Sequence, residues 1–382
     1  MPFSPVTAAA LGVIVTVLAG TLTPRARESQ RPDDPHESDD FGPLKLLTRV
    51  LGVAVLIIAV VAGRLGSALE IENIAPALIV GTLWPVLVLL SGALGRVWRW
   101  IDPFDSLARL GGGGPEGAGA SAHDAGLSVA WATPVALAWT WYLSVYPNSL
   151  SPRVVGGALA LYTIVIVAAC LAVGRHAVLS RAELFGIFYD FIGRARSRLR
   201  RSWVPPRHAD VLLAVLFGGL LFGGLRQSKL WGELNASPEA TAWATLGLLG
   251  TCLASVVIVK GAQRIPRGDR VAVALGLIPV TGAVTVAVSL TRNRLTTSLQ
   301  LLPHLILDPL GRADSGLSSA LAGLDPNPFG TTGRVVVQMV VIVMGAVLGT
   351  VLVRRRFGAE GNVAVGVLCL LASVAIVAIA AV

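Results

Sequence analysis

Residues 335–353 read VVVQMVVIVMGAVLGTVLV, an apolar run broken by one amide, Gln338, and free of ionisable side chains. At ~1.5 Å of rise per residue such a run spans roughly 28 Å as a helix, close to the hydrocarbon thickness of a bilayer. No water reaches that depth, so each peptide N–H and C=O needs a partner within the segment, and an isolated run meets this demand only as a helix. Comparable runs lie outward along the chain at 3–20, 46–63, 74–94, 127–145, 154–173, 211–225, 242–259, 271–290 and 363–382. The run at 211–225 is the shortest and is rich in glycine. The expected architecture is all-α: a polytopic transmembrane helical bundle of about ten spans, forming one integral membrane domain over 1–382.

Composition agrees with this reading. Apolar residues make up 54% of the chain, charged residues 14%, and mean hydropathy is +0.72. A soluble domain needs about a quarter of its residues charged. The formal charge of +9 is carried mostly in short connections between the runs. Without interleaved aromatics or a binding fold, that charge is read as topology, not as contact with nucleic acid.

No basic residue precedes the run at 3–20, whereas Arg25 and Arg27 follow it. This order predicts a retained span whose N-terminus lies outside. Ten spans then put 23 of the 31 Lys and Arg on the inner side, counting Arg49 there, and 8 on the outer side. The expected location is the cell membrane, with both termini extracytoplasmic. Residues 21–45 read as a flexible polar loop.

Two segments are apolar without being spans. Residues 180–201 predict an amphipathic helix on the cytoplasmic interface, opened by a Ser180–Glu183 capping box. Its basic end, Arg194, Arg196, Arg198, Arg200 and Arg201, predicts contact with anionic lipid headgroups. Residues 295–307, interrupted by Pro303, suit a re-entrant or interfacial segment within an outer stretch at 295–331.

Polar chemistry gathers in that outer stretch. Gln300, His304 and Asp308 are spaced four apart, one helical face, with Asp325 further on. Asp308 and Asp325 each precede a proline, the pattern of a helix cap. One histidine and one aspartate are too few for a metal site, so no metal is expected, and no cofactor can be named. Gln338 is expected to bond a neighbouring helix. On the inner side, Trp98, Asp102 and Pro103 form a candidate interface motif, with Asp102 a cap before Pro103. The glycines at 111–114 lack the Lys-Ser/Thr ending of a phosphate loop, and no hydrolase motif occurs. Cys170, Cys252 and Cys369 lie in apolar runs with no metal or disulfide spacing.

These features resemble a family of polytopic prokaryotic membrane proteins labelled "fenitrothion hydrolase". RVLGVAVLIIAVVAGRLG at 49–66, then Asn73-Ile74-Ala75-Pro76, is similar to its second span and the step after it. Gly95, Trp98 and Asp102-Pro103-Phe104 match a turn that carries Asn-Pro in the family. Gln300, Asp308, Pro309, Gly311, Phe329, Gly330 and Thr331 match its C-terminal motifs. Gly345-Ala346 and Val353-Arg354 stand where the family places histidines.

The family name implies membrane-embedded phosphoester hydrolysis, with a metal-activated water at His304 and Asp308 as the form this chain would give it. The residues themselves, lacking a catalytic constellation, point instead to a permease-like carrier or a membrane assembly component. A third expectation is a scaffold docking partners through 180–201.

Overall fold

The computed structural model describes residues 42–112, 128–196, 203–266, 268–291, 293–313, 316–325 and 327–381. The candidate span at 3–20 and the polar loop up to residue 41 lie outside them. Among the described residues every regular element is a helix.

Six helical stretches are long and apolar enough to cross a membrane. They are α1 (Pro43–Leu65), α2 (Ile74–Leu94), α6 (Pro152–Val173), α11 (Ala240–Arg264), α12 (Arg270–Thr291) and Gly330–Ala380, which comprises α15 (Gly330–Phe357) and α16 (Asn362–Ala380). Between them lie α3 (Trp98–Ile101), α4 (Pro103–Leu110), α5 (Ala132–Ser144), α7 (Arg175–Arg181), α8 (Leu184–Arg196), α9 (Ala209–Leu225), α10 (Lys229–Asn235), α13 (Arg294–Leu307) and α14 (Leu317–Ala322). The expected polar loop ends early, because Pro43, which needs no N–H partner at a first helical position, opens α1.

The shortest expected run turns out to be central. From Ala209 to Gly224 every residue of α9 except Val211 is buried, which explains why it has no polar face. Its glycines admit neighbours closely. A Cβ on Gly218 would lie 2.6 Å from the Thr251 carbonyl of α11, and one on Gly219 would lie 2.4 Å from Thr140 Oγ1 of α5. The second close seam joins α12 and α15, where a Cβ on Gly349 would lie 2.5 Å from the Gly276 carbonyl. Apolar side chains gain little by leaving lipid for protein, so backbone approach at small residues is what holds such helices together. At the periphery, α6 turns Leu161, Ile164 and Val165 outward.

Inter-loop bonds sort the connections into two groups. In the first, Thr48 donates to the Trp100 carbonyl, Arg175 and Arg49 reach Asp105, Arg96 reaches Asp190, Arg270 donates to Pro206 and Arg356 to Trp203. In the second, Ser67 N–H donates to Leu310, Arg312 to Leu65, Arg334 to Asn293 and Arg226 to Ser144. Successive connections alternate between the groups.

One expected element is corrected. Residues 180–201 do not form one surface helix: α7 ends at Arg181 and α8 starts at Leu184. Ser180 Oγ donates back to the His176 carbonyl, and Glu183, not Ser180, supplies the cap. Leu184, Ile187, Phe188, Tyr189, Phe191 and Ile192 are buried in the main protein core. Ile187 and Tyr189 widen the apolar stripe, and α2, α5 and α12 cover it. The segment at 295–307 is the helix α13, bent around neither a turn nor a break despite Pro303. Near its two ends, Asn293 accepts from Arg334 and the Leu310 carbonyl accepts from the Ser67 N–H.

Candidate functional site

The two groups of loops carry different chemistry. The first group gathers buried carboxylates. Asp102 ends α3 and caps α4, accepting from the Phe104 and Asp105 amides at 2.9 and 3.1 Å on one oxygen, Oδ1. The expected Asp-Pro cap is present here because Pro103 at the first helical position spends no N–H. Glu183 caps α8, accepting from the amides of Phe185, at 2.9 Å, and Gly186. Tyr162 of α6 donates its hydroxyl to Glu183 Oε1 at 2.8 Å. Glu183 is fully buried and Asp102 8% exposed. Burial pushes the Asp102 carboxyl up to about 8, and the Glu183 charge pushes in the same direction. Burial also raises Glu183 to about 7, against the Tyr162 hydroxyl and the two amides, which favour its charged form.

Trp98 lies over these groups, its ring 5.2 Å from that of Tyr189 and 6.3 Å from that of Phe104. It is partly buried rather than an exposed interface anchor, and its Nε1 has no hydrogen-bond partner among the described residues. Pro103 is buried with it.

One turn into α4, Asp105 takes Arg49 at 2.9 Å, Arg109 at 3.0 Å and Arg175 together. Three elements thereby meet on one carboxylate, since Arg49 belongs to α1, Arg109 to α4 and Arg175 to α7. Asp190 joins Arg96 to Arg194, the latter at 2.5 Å, and Arg194 also lies over Trp203 at 5.5 Å. Arg194, expected to meet lipid headgroups, is thus engaged within the protein. The side chain of Arg196 and residues Arg198, Arg200 and Arg201 lie outside the described residues.

At the other end, Gln300 and Asp325 come together, but through backbone groups: Gln300 donates to the Asp325 carbonyl at 2.7 Å and accepts its N–H at 3.2 Å. Asp308 does not cap a following helix. It ends α13, and its carboxylate accepts the Ala313 N–H at 2.6 Å, a bond that lowers its pKa. Asp325 closes a turn by accepting from Asn327 at 3.0 Å, and the next long helix starts only at Gly330. His304 sits one turn before Asp308, beside Gly316. Gln338 is elsewhere, buried between α15 and α12, donating to Ala287 O at 2.8 Å and Thr291 Oγ1 at 2.7 Å. Among the described residues no three His, Cys, Asp or Glu gather as a metal-ligand group.

The polar place that sequence reading missed is a cavity of about 30 Å³ among α2, α5, α9 and α12, with Arg294 of α13 on its wall. That is room for a water molecule or so. Trp84, Thr140, Ser144, Thr285 and Ser289 line it. Thr285 and Ser289 each donate back to the carbonyl four residues before, leaving their oxygen lone pairs for a guest. Beside it, α2 widens into a π-helical stretch at Ala77–Leu83. Such bulges often mark functional positions because one extra residue per turn frees a carbonyl and displaces the face. Gly81 in this stretch meets Ser298 of α13, where a Cβ would fall 1.9 Å from the hydroxyl. Asn73 anchors the entry: it accepts from Ala75 N at 3.0 Å and donates to Ala62 O at 2.7 Å, joining the end of α1 to the start of α2.

Comparison of the chain with protein-family models, curated proteins and solved structures finds no match.

Proposed function

We propose that the chain is a permease-like carrier for a small polar solute, crossing the cell membrane ten times with both termini extracytoplasmic. The polar cavity beside the π-helical stretch of α2 is the observation that supports this most. Five helices contribute to it, and hydroxyls, an amide and a guanidinium line it where lipid-facing helices would offer only hydrocarbon. Polar side chains at membrane depth are costly unless they face an interior path.

The ten spans are reached from the six long stretches by separating α15 from α16, adding α5 and α9, which connect the two groups of loops, and adding the run at 3–20. The excess of Lys and Arg in the first group supports its placement on the cytoplasmic side, near anionic lipid headgroups.

The hydrolase implied by the family resemblance would rest on His304 and Asp308. Asp308 is already turned to a backbone amide in an exposed turn. The cavity therefore favours the carrier over the hydrolase, and over a purely structural assembly component.

Proteoliposomes test this reading. Given a panel of labelled amino acids, small carboxylates, sugars and phosphate, the native protein should take up at least one solute. A Thr285→Leu, Ser289→Leu double variant that still purifies as a folded monodisperse protein should not. Uptake equal to that of protein-free vesicles across the panel would refute it.

A further inference from the structure

The cytoplasmic-end carboxylates Asp102 and Glu183 take no part in the cavity, and their surroundings set them apart from the other acidic groups. Each faces a helix N-terminus from inside the protein, Asp102 at α4 and Glu183 at α8. The cations near them are committed to other carboxylates. Arg49 from α1, Arg109 from α4 and Arg175 from α7 all bond Asp105. Arg96, just before α3, and Arg194 of α8 both bond Asp190. What faces Glu183 from α6 is a neutral donor, the Tyr162 hydroxyl, with the Cys170 thiol buried further along the same helix. From α3 it is the Trp98 indole: a Cβ on Gly186 would lie 2.5 Å from Glu183 Oε2 and 3.0 Å from Trp98 Nε1, so the two atoms flank one small space.

We infer that Asp102 and Glu183 form a proton-binding site that exchanges protons with the cytoplasmic side. Two buried carboxylates near one another, without a cation of their own, cannot both ionise at low cost, so the pair retains a proton. Burial holds both carboxyls above the ordinary carboxylate range, in agreement with this. Both amides on Asp102 fall on Oδ1, and the residue keeps a sliver of exposure, so Oδ2 is the oxygen that takes up and releases the proton. Loss of the proton leaves two buried like charges, one at the start of α4 and one at the start of α8. The site goes beyond the carrier reading and exists whether or not a solute moves.

Infrared titration of the purified full-length protein in lipid tests it, reading the C=O stretch of protonated carboxyl groups. Absorption from protonated carboxyls should persist at neutral pH and fade through the neutral range. Glu183→Gln and Asp102→Asn should each remove part of it. Tyr162→Phe, which leaves both carboxyls in place but deletes a donor to the Glu183 carboxylate, should move the midpoint upward. A neutral-pH spectrum without that absorption, or one unchanged by Glu183→Gln and Asp102→Asn, would overturn the site. So would a midpoint unmoved in Tyr162→Phe.

Discussion

Tyr162, in the middle of α6, donates its hydroxyl to the carboxylate that caps α8, Glu183, at 2.8 Å. A peripheral helix, which exposes Leu161, Ile164 and Val165, is thereby bonded to the start of a helix buried in the main core. Glu183 serves two N–H groups and one hydroxyl from a position with no solvent exposure.

Removing that carboxylate should therefore be costly. Glu183→Ala deletes a cap and strands the Tyr162 hydroxyl, and we expect a loss of about 2–4 kcal/mol. Glu183→Gln, which keeps an acceptor, should lose clearly less. Denaturant unfolding in detergent, comparing both variants with the native chain, measures this.

The raised carboxyls fix how stability changes with pH. In the unfolded chain Asp102 and Glu183 ionise near pH ~4, whereas in the folded protein they do so at about 8 and about 7. Both states hold the protons below the unfolded values, so the contribution is whole there. As pH rises the unfolded chain releases protons first, and the contribution declines until the folded pKa values are passed. Tm should thus fall from pH ~5 to pH ~9, more gently in Glu183→Gln. Asp308, lowered by the Ala313 amide, acts oppositely but below this window. A Tm that rises across the window would contradict the assignment.

The Asp105 junction should be the most sensitive ion pair. Asp105→Ala leaves Arg49, Arg109 and Arg175 converging without their shared anion, and loss of one member of a buried pair costs about 3–5 kcal/mol. Expression and monodispersity of the variant are expected to collapse. By contrast Gln338→Leu, which removes one interhelical amide, should cost only about 1 kcal/mol.

Backbone approach at Gly349 gives a steric prediction. Any Cβ there meets the Gly276 carbonyl at 2.5 Å. Gly349→Val should separate α12 from α15 and lower Tm strongly, while Gly366→Val, where a Cβ meets open space, should leave it nearly unchanged. Thermal unfolding of the two variants side by side decides this.

What was legible beforehand was what short stretches of chain decide. Among the described residues the span-length apolar runs are helices because the demand for peptide partners is local, and Asp102-Pro103 is a cap because both halves of the signal are adjacent. The Ser180–Glu183 spacing suggests a capping box, whereas Glu183 alone caps α8 and Ser180 bonds back to His176. The break at Ala182, and the hydroxyl of Tyr162 reaching it from 21 positions earlier, are tertiary facts. The basic run around Arg194 suggests a lipid anchor, but Asp190 and Trp203 hold its guanidinium within the protein. The cavity left no trace in the sequence, since Thr140, Ser144, Thr285 and Ser289 are single hydroxyls on separate helical turns that fold into one place.

Cysteine accessibility at Ser289 tests the carrier most directly. With Cys170, Cys252 and Cys369 replaced by alanine, Ser289→Cys should react with a membrane-impermeant thiol reagent from the extracytoplasmic side. In inverted vesicles the same cysteine should react from the cytoplasmic side. Reaction from one side only, under every condition that leaves the protein folded, would contradict a path that opens to each side in turn.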